Sequence, residues 1–289
     1  MRDVHDRLLA DEVEARFGTR IASSRPLHGG MIGEVLRLDL DDGTRLVAKL
    51  DREGSANLER EGYMLGYLRE RSNLPVPEVF YSSGELLLME FVEGESAFSR
   101  AAERHAAELL AELHSVEADA FGLERDTLIG SLHQPNPPSA SWLEFFRDNR
   151  LLYLADVAHE AGRLPAELRK RVEALSGKLD GLVEEPERPA LIHGDVWSQN
   201  VLARGDRVTA FIDPAIYNAH PEMELAYISL FNSFGEEFFR RYGELRPLPD
   251  EFFTERRHLY ALYPLLVHVY FFGGGYVGAV ERTLARFGV

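Results

Sequence analysis

The 289-residue chain changes texture once, near Ser99, and that change restricts its folds more than any other feature. Ahead of it, MRDVHDRLLADEVEARFG predicts a charged amphipathic helix ending near Gly18. PLHGGMIGEVLRLDLDDGTRLVAKLD predicts two strands joined at Asp41-Asp42-Gly43, a strong hairpin signal. ANLEREGYMLGYLRER predicts a helix, and ELLLMEFVEG a buried strand ending at Gly94. Beyond Ser99, RAAERHAAELLAELHSV, SWLEFFRDNRLLYLADVAHEAG and PAELRKRVEALSGKLDGLV each predict one helix. Strands followed by helices predict an α+β fold with a β-rich N-lobe over 1–93 and a larger helical C-lobe over 94–289. Such a pair of lobes predicts a ligand cleft between them.

One stretch interrupts the helical half. LIHGDVWSQN (Leu191 to Asn200) sets His, Asp, Trp and Asn after a strand-like entry. These residues are costly to bury unpaired and point to a loop built for chemistry. VLARGDRVTAFID then predicts a hairpin around Gly205-Asp206, ending at Asp213. The RGD within it reads as a turn.

Composition excludes several alternatives. A formal net charge of −16 leaves no basic face for phosphate backbones, so nucleic acid is not an expected partner. The absence of cysteine excludes disulfides and thiolate metal sites and suits a reducing, cytoplasmic compartment. The uncharged run from Leu259 to Val280 is long enough to span a bilayer. Its proline, four tyrosines and four glycines, with no basic flank, predict a buried helix and turn and no membrane span.

Phosphoryl transfer from a nucleotide requires a carboxylate to orient the attacking hydroxyl and hard oxygen ligands for Mg²⁺. Asp195 fits the first need, and Asn200 with Asp213 the second. The Asp-to-Asn spacing is that of the protein-kinase catalytic loop. Each residue type also suits turns and caps, and it is the spacing plus the hairpin that favours chemistry. His193 reads as a brace for the loop rather than the base.

Lys49, one of only three lysines, sits on the strand-like RLVAKLD. It could reach nucleotide phosphates, or face outward from an edge strand. Leu58, Glu61, Leu65 and Leu68 share one helix face, so Glu61 falls within an apolar stripe while Glu59 lies off it. A Lys49–Glu61 ion pair would satisfy that carboxylate and aim the lysine. GGMIGEV offers Gly29, Gly30 and Gly33 before the first long strand: alone it reads as a plain turn, and its place upstream of Lys49 favours a phosphate-approaching one. In LLMEFVEG, Glu90 and Val92 could offer backbone groups to an adenine, with Met89 behind, and an ordinary core strand reads the same.

Taken in order, these parts resemble the kinase-like phosphotransferases and, more narrowly, the fructosamine/ketosamine 3-kinase family. HGDVWSQN, IDPAIYNAHPEMELAYISLF and the stretch from Phe121 to Leu151 carry the resemblance, which extends over nearly the whole chain. It implies a bilobal protein-kinase-like fold, ATP with Mg²⁺, and phosphorylation of a sugar hydroxyl on a ketose joined to an amine. By position it makes Asp195 the base, Asn200 and Asp213 the metal ligands, and Lys49 with Glu61 the phosphate anchor. Trp197 would flank the sugar-amine pocket, the other reading being a core tryptophan under the loop. His268 would stand on the substrate side or be a buried structural histidine. Gln199, Met31, Gly33, Glu224 and Val267 depart from the family pattern and bear on substrate more than on reaction. An aminoglycoside- or choline-type kinase and a nucleotide-binding pseudokinase are the competing readings.

Overall fold

A computed structural model describes residues 2–27, 33–52, 54 and 57–289. Helix α1 (Arg2–Phe17) leads into β1 (Ile21–Pro26), β2 (Glu34–Leu40) and β3 (Arg45–Leu50). After α2 (Leu58–Arg71) come β4 (Val79–Ser82) and β5 (Leu86–Glu90), and the five strands form one antiparallel sheet ordered β1-β2-β3-β5-β4. The sheet holds one strand more than the sequence predicts ahead of the Asp41-Asp42-Gly43 turn. β1 is an edge strand whose residues beyond Ile21 are all exposed, so it carries no apolar alternation to read. The glycine-rich segment therefore follows a strand rather than the first helix.

Strand period sorts β3 into two faces. Leu46, Ala48 and Leu50 pack with Leu36, Leu38, Leu86 and Leu88 against Leu9 and Val13 of α1. Val47 belongs to the opposite face, in a core shared with Leu58, Met64, Leu65 and Leu68 of α2. Each of these leucines contributes about 2 kcal/mol by leaving water. Lys49 falls on the α2 side with Val47. Because β3 is central and Lys49 is only 7% exposed, the edge-strand reading of that lysine is overturned.

The C-lobe begins with α3 (Arg100–Leu113) and a short hairpin, β6 (Thr127–Ile129) and β7 (Leu132–Gln134). The stretch predicted as one helix from Ser141 is α4 (Trp142–Phe146), a π-helical segment Arg147–Leu152 and α5 (Tyr153–Glu160). The π segment seats Arg150, fully buried, with its guanidinium 3.9 Å from the Tyr217 ring centre and bonded to Asn136 Oδ1 at 2.7 Å. After α6 (Ala166–Ser176) come β8 (Ala190–Ile192), β9 (Val201–Arg204), β10 (Arg207–Phe211) and β11 (Tyr217–Ala219). The hairpin expected around Gly205-Asp206 is present as β9–β10. Helices α7 (Glu222–Phe231), α8 (Glu236–Leu245), α9 (Arg257–Tyr260), α10 (Leu262–Phe272) and α11 (Gly275–Arg286) complete the lobe. The uncharged run from Leu259 falls mainly on α10 and the turn into α11. Among the described residues, no helix is long and apolar enough to cross a membrane.

Helix α7 carries Tyr227 and Phe231 to the cleft, and His220 secures its start by accepting the Glu222 N–H on Nδ1 at 3.1 Å. Burial depresses this imidazole to about 4, with the Arg256 charge adding to the effect against Glu222. Between pH 6.5 and 4 the unfolded chain therefore holds a proton that the folded protein refuses. Stability falls with pH across that window, by about 3 kcal/mol in total from this group, and loses nothing to it above pH 6.5. Urea midpoints at pH 7 and 4.5 test this. The acid loss should shrink by most of that amount in His220→Asn, which keeps an acceptor for the helix end. An equal loss in both proteins would remove His220 as the cause.

Candidate active site

Strand β8 pairs with β11, Ile192 opposite Tyr217, and the loop between 193 and 200 leaves its end. The His193 carbonyl accepts the Ala215 N–H at 2.8 Å, drawing that loop against the segment that follows Asp213. The β9–β10 ladder does the rest. Phe211 pairs with Val201, and Ile212 N–H donates to the Asn200 carbonyl at 2.9 Å. Thirteen positions apart in sequence, Asn200 and Asp213 become neighbours because a tight hairpin returns the chain. Asp213 adopts a left-handed φ of 53°, a conformation that Asp tolerates and that recurs at functional sites.

The Lys49 ammonium lies 2.7 Å from Glu61 Oε1 and also bonds Asp213 Oδ1, linking the sheet, α2 and the segment that follows β10. Burial alone would lower its pKa. The Asp213 and Glu61 carboxylates outweigh burial and hold the ammonium above the ordinary lysine range. It is charged at neutral pH.

Asp195 is half-buried. Asn200 Nδ2 donates to its Oδ2 at 2.9 Å and to its backbone carbonyl at 3.0 Å, and Tyr227 donates its hydroxyl to Oδ1. Desolvation pushes the carboxyl up to about 7, with the Asp213 charge adding, against the Tyr227 and Asn200 hydrogen bonds. A carboxylate poised near neutrality suits proton acceptance.

Glu224 holds the loop from below. It is 1% exposed and accepts Gly194 N–H at 2.7 Å, His193 N–H at 3.4 Å and His114 Nε2–H at 2.9 Å. Burial alone would raise its pKa, but the bonds from His114 and Gly194 prevail and keep it ionised. His193 is fully buried and accepts the Asp195 N–H on Nδ1 at 3.3 Å. Desolvation lowers its pKa, so it is a neutral brace.

These groups open on a cleft of about 460 Å³ between the lobes. Lys49, Glu61, Asp195, Trp197, Asn200, Asp213 and His268 all line it. Trp197 is half-buried at the cleft wall, which removes its core reading. His268 donates Nδ1–H to the Pro264 carbonyl at 2.8 Å, leaving Nε2 as an acceptor, and burial keeps it neutral. Met89, Glu90 and Val92 do not line this cleft. Met89 is buried opposite Val47, and Glu90 N–H is taken by the Glu78 carbonyl. Among the described residues, Val92 N–H has no hydrogen-bond partner. Gly29 and Gly30 lie outside the described residues. Gly33 has φ 78°, and a Cβ there would sit 2.8 Å from the Leu50 carbonyl oxygen, so the turn into β2 requires glycine.

A fructosamine kinase family model matches residues 5–287. The chain belongs to the fructosamine kinase family. Its members are ATP-dependent phosphotransferases acting on a hydroxyl group. A Synechocystis protein labelled "probable ketoamine kinase" is 38% identical over 183 residues, 61% of this chain and 59% of that protein. A rice chloroplastic protein-ribulosamine 3-kinase is 30% identical over 89% of this chain and 76% of its own length. A Thermobifida fusca crystal structure labelled fructosamine-3-kinase superposes with a TM-score of 0.85 at 31% identity, covering 96% of this chain and 98% of that one.

Within this fructosamine kinase fold, the structure adds cleft residues that sequence reasoning missed. Leu128, Ile129 and Gly130 bring the β6–β7 hairpin to the wall, and Tyr227 and Phe231 come from α7. The hairpin belongs to the Phe121–Leu151 stretch and is tied to the loop after Asp213. Thr127 Oγ donates to the Ile216 carbonyl at 3.1 Å and Gln134 Nε2 to the Ala215 carbonyl at 3.1 Å. Phe271, Phe272 and Tyr276 also line the cleft, although their sequence context reads as uniform core.

Proposed function

We propose that this fructosamine kinase transfers the γ-phosphoryl group of ATP to the 3-hydroxyl of a ketosamine such as a ribulosamine or fructosamine. The observation that carries this reading is the meeting, in one cleft, of the Lys49–Glu61–Asp213 cluster with Asp195 and an aromatic acceptor wall.

Asp195 accepts the hydrogen bond of the attacking hydroxyl and takes its proton as the oxygen–phosphorus bond forms. Lys49, aimed by Glu61, holds nucleotide phosphate oxygens, and ADP leaves with the electrons of the broken bond. The donor set suits Mg²⁺. Asn200 uses Nδ2 on Asp195 and keeps Oδ1 available, and Asp213 supplies carboxylate oxygen. When bound, Mg²⁺ supplies charge neutralisation at the β- and γ-phosphates. Of the adenine-edge candidates, Met89 is buried and the Glu90 N–H is taken, so the Val92 N–H would serve that edge, and Gly29, Gly30 and Gly33 are the sequence candidates for the phosphate turn. Trp197 packs against the sugar or its amine, and His268 Nε2 accepts from it.

The acceptor side of the cleft separates this reading from an aminoglycoside kinase. A polycationic acceptor calls for an acidic wall. Here the wall is apolar and aromatic, with Ile129, Pro214, Phe231, Val267 and Phe271. The pseudokinase reading is disfavoured by the intact Lys49, Glu61, Asp195, Asn200 and Asp213. Incubation with Mg·ATP and ribuloselysine or fructoselysine, beside choline and an aminoglycoside, tests the assignment. Phosphate should enter the ketosamines. Transfer only to the other alcohols would retire the substrate, and ATP binding without transfer to any alcohol would favour a pseudokinase.

A further inference from the structure

The Asp195 carboxylate is gripped at both oxygens, by Asn200 Nδ2 on Oδ2 and by the Tyr227 hydroxyl on Oδ1. The first grip comes from the catalytic loop itself. The second comes from α7, the helix that already secures the loop backbone through Glu224. Residues three apart on a helix share a face, so one surface of α7 fixes the loop's main chain with Glu224 and its carboxylate with Tyr227.

Tyr227 is braced for this task. It is 6% exposed, and its ring centre lies 4.9 Å from that of Phe231, which lies 4.8 Å from that of His268. Those rings limit the swing of the phenol. A carboxylate oxygen has two in-plane lone-pair sites, and a hydroxyl held on one of them leaves the other open while setting the plane of the group. Without that bond, the side chain would be held through Oδ2 alone and could rock about its Cβ–Cγ bond.

We infer that Tyr227 is a positioning residue for phosphoryl transfer, its phenol hydroxyl setting the Asp195 carboxylate so that the free lone pair of Oδ1 faces the acceptor hydroxyl. This rests on the kinase reading above. It assigns Tyr227 no proton transfer and no contact with phosphate, since its action passes through Asp195.

Tyr227→Phe removes the hydroxyl and keeps the ring. With the full chain and the alcohol that the wild type phosphorylates best, kcat should fall about tenfold to a hundredfold, the scale of misplaced reacting groups. The KM for Mg·ATP and the melting temperature should stay at wild-type values. In an Asp195→Asn background the same change should cost less than about twofold, because both act on one step. A wild-type kcat in the Tyr227→Phe protein would overturn the inference. So would a loss of melting temperature accompanying the loss of rate, which would make Tyr227 a packing residue. A further tenfold loss in the Asp195→Asn background would overturn it too, by showing a role independent of the carboxylate. The variant is read as a ratio to wild type on the same alcohol, so a wild type preferring another acceptor would sink the ketosamine assignment and leave this comparison readable.

Discussion

Replacing Asp195 with Asn lowers kcat by about a thousandfold, within the usual range for loss of a positioned acid–base group. The change preserves size and still offers one acceptor oxygen to Asn200 or Tyr227, so the loop should stay in place. Mg·ATP should bind with affinity close to wild type, because Lys49, Glu61, Asn200 and Asp213 are untouched. A fall in kcat with an unchanged nucleotide dissociation constant marks an interaction made in the transition state. Calorimetric titration of Mg·AMP-PNP and a coupled ADP-release assay measure the two quantities. Retention of more than about a tenth of wild-type turnover would mean that Asp195 is not the base.

The second large effect belongs to Gly194. Its φ is 86°, and a Cβ built there would lie 2.1 Å from the Ala215 carbonyl oxygen. That oxygen cannot give way cheaply, because Ala215 N–H holds the His193 carbonyl at 2.8 Å. Gly194 N–H is likewise fixed on Glu224 at 2.7 Å. Gly194→Ala must break one of these bonds as well as adopt a strained backbone. The combined cost is about 4 kcal/mol or more, in the class of exceptional single substitutions. A melting temperature lower by on the order of 10 °C follows for a chain of this size. Turnover should collapse with it, since Asp195 is the next residue. Gly205→Ala is the control. Its φ is also positive, at 61°, but nothing lies within 4 Å of the added carbon, so only about 1 kcal/mol is at stake. Comparable melting curves for the two variants would contradict the account of the loop.

Much of the site could be read before the fold. The sequence set Lys49 on a strand without fixing its face, and the three-four spacing put Glu61 within the apolar stripe of Leu58, Leu65 and Leu68. The cost of leaving that carboxylate unpaired predicts the Lys49–Glu61 pair, which the structure forms at 2.7 Å. The Gly205-Asp206 turn predicts the hairpin that returns Asp213 to Asn200. Glu224 stood out only as a departure from a family pattern, and the structure gives its longer side chain two backbone amides and a histidine to hold.

The rest was hidden for identifiable reasons. β1 has a single apolar residue that is even partly buried, so an edge strand produced no pattern. The strands β6 and β7 are three residues each, shorter than any periodicity can resolve. The π-helical segment keeps the apolar spacing of its flanking helices and passes for part of one. Tyr227, Phe231, Phe272 and Tyr276 sit in apolar sequence where every aromatic reads as core. Only the packing of α7, α10 and α11 turns them to the cleft, a tertiary outcome without a local signature.

The most direct test of the central claim is the position of the transferred phosphate. Wild-type protein, Mg·ATP and ribuloselysine would be incubated, and the product examined by proton–phosphorus correlation NMR. Coupling of phosphorus to the proton on C3, absent when Asp195→Asn replaces the wild type, is the predicted result. Phosphorus on another carbon, or equal product from the variant, would contradict the account.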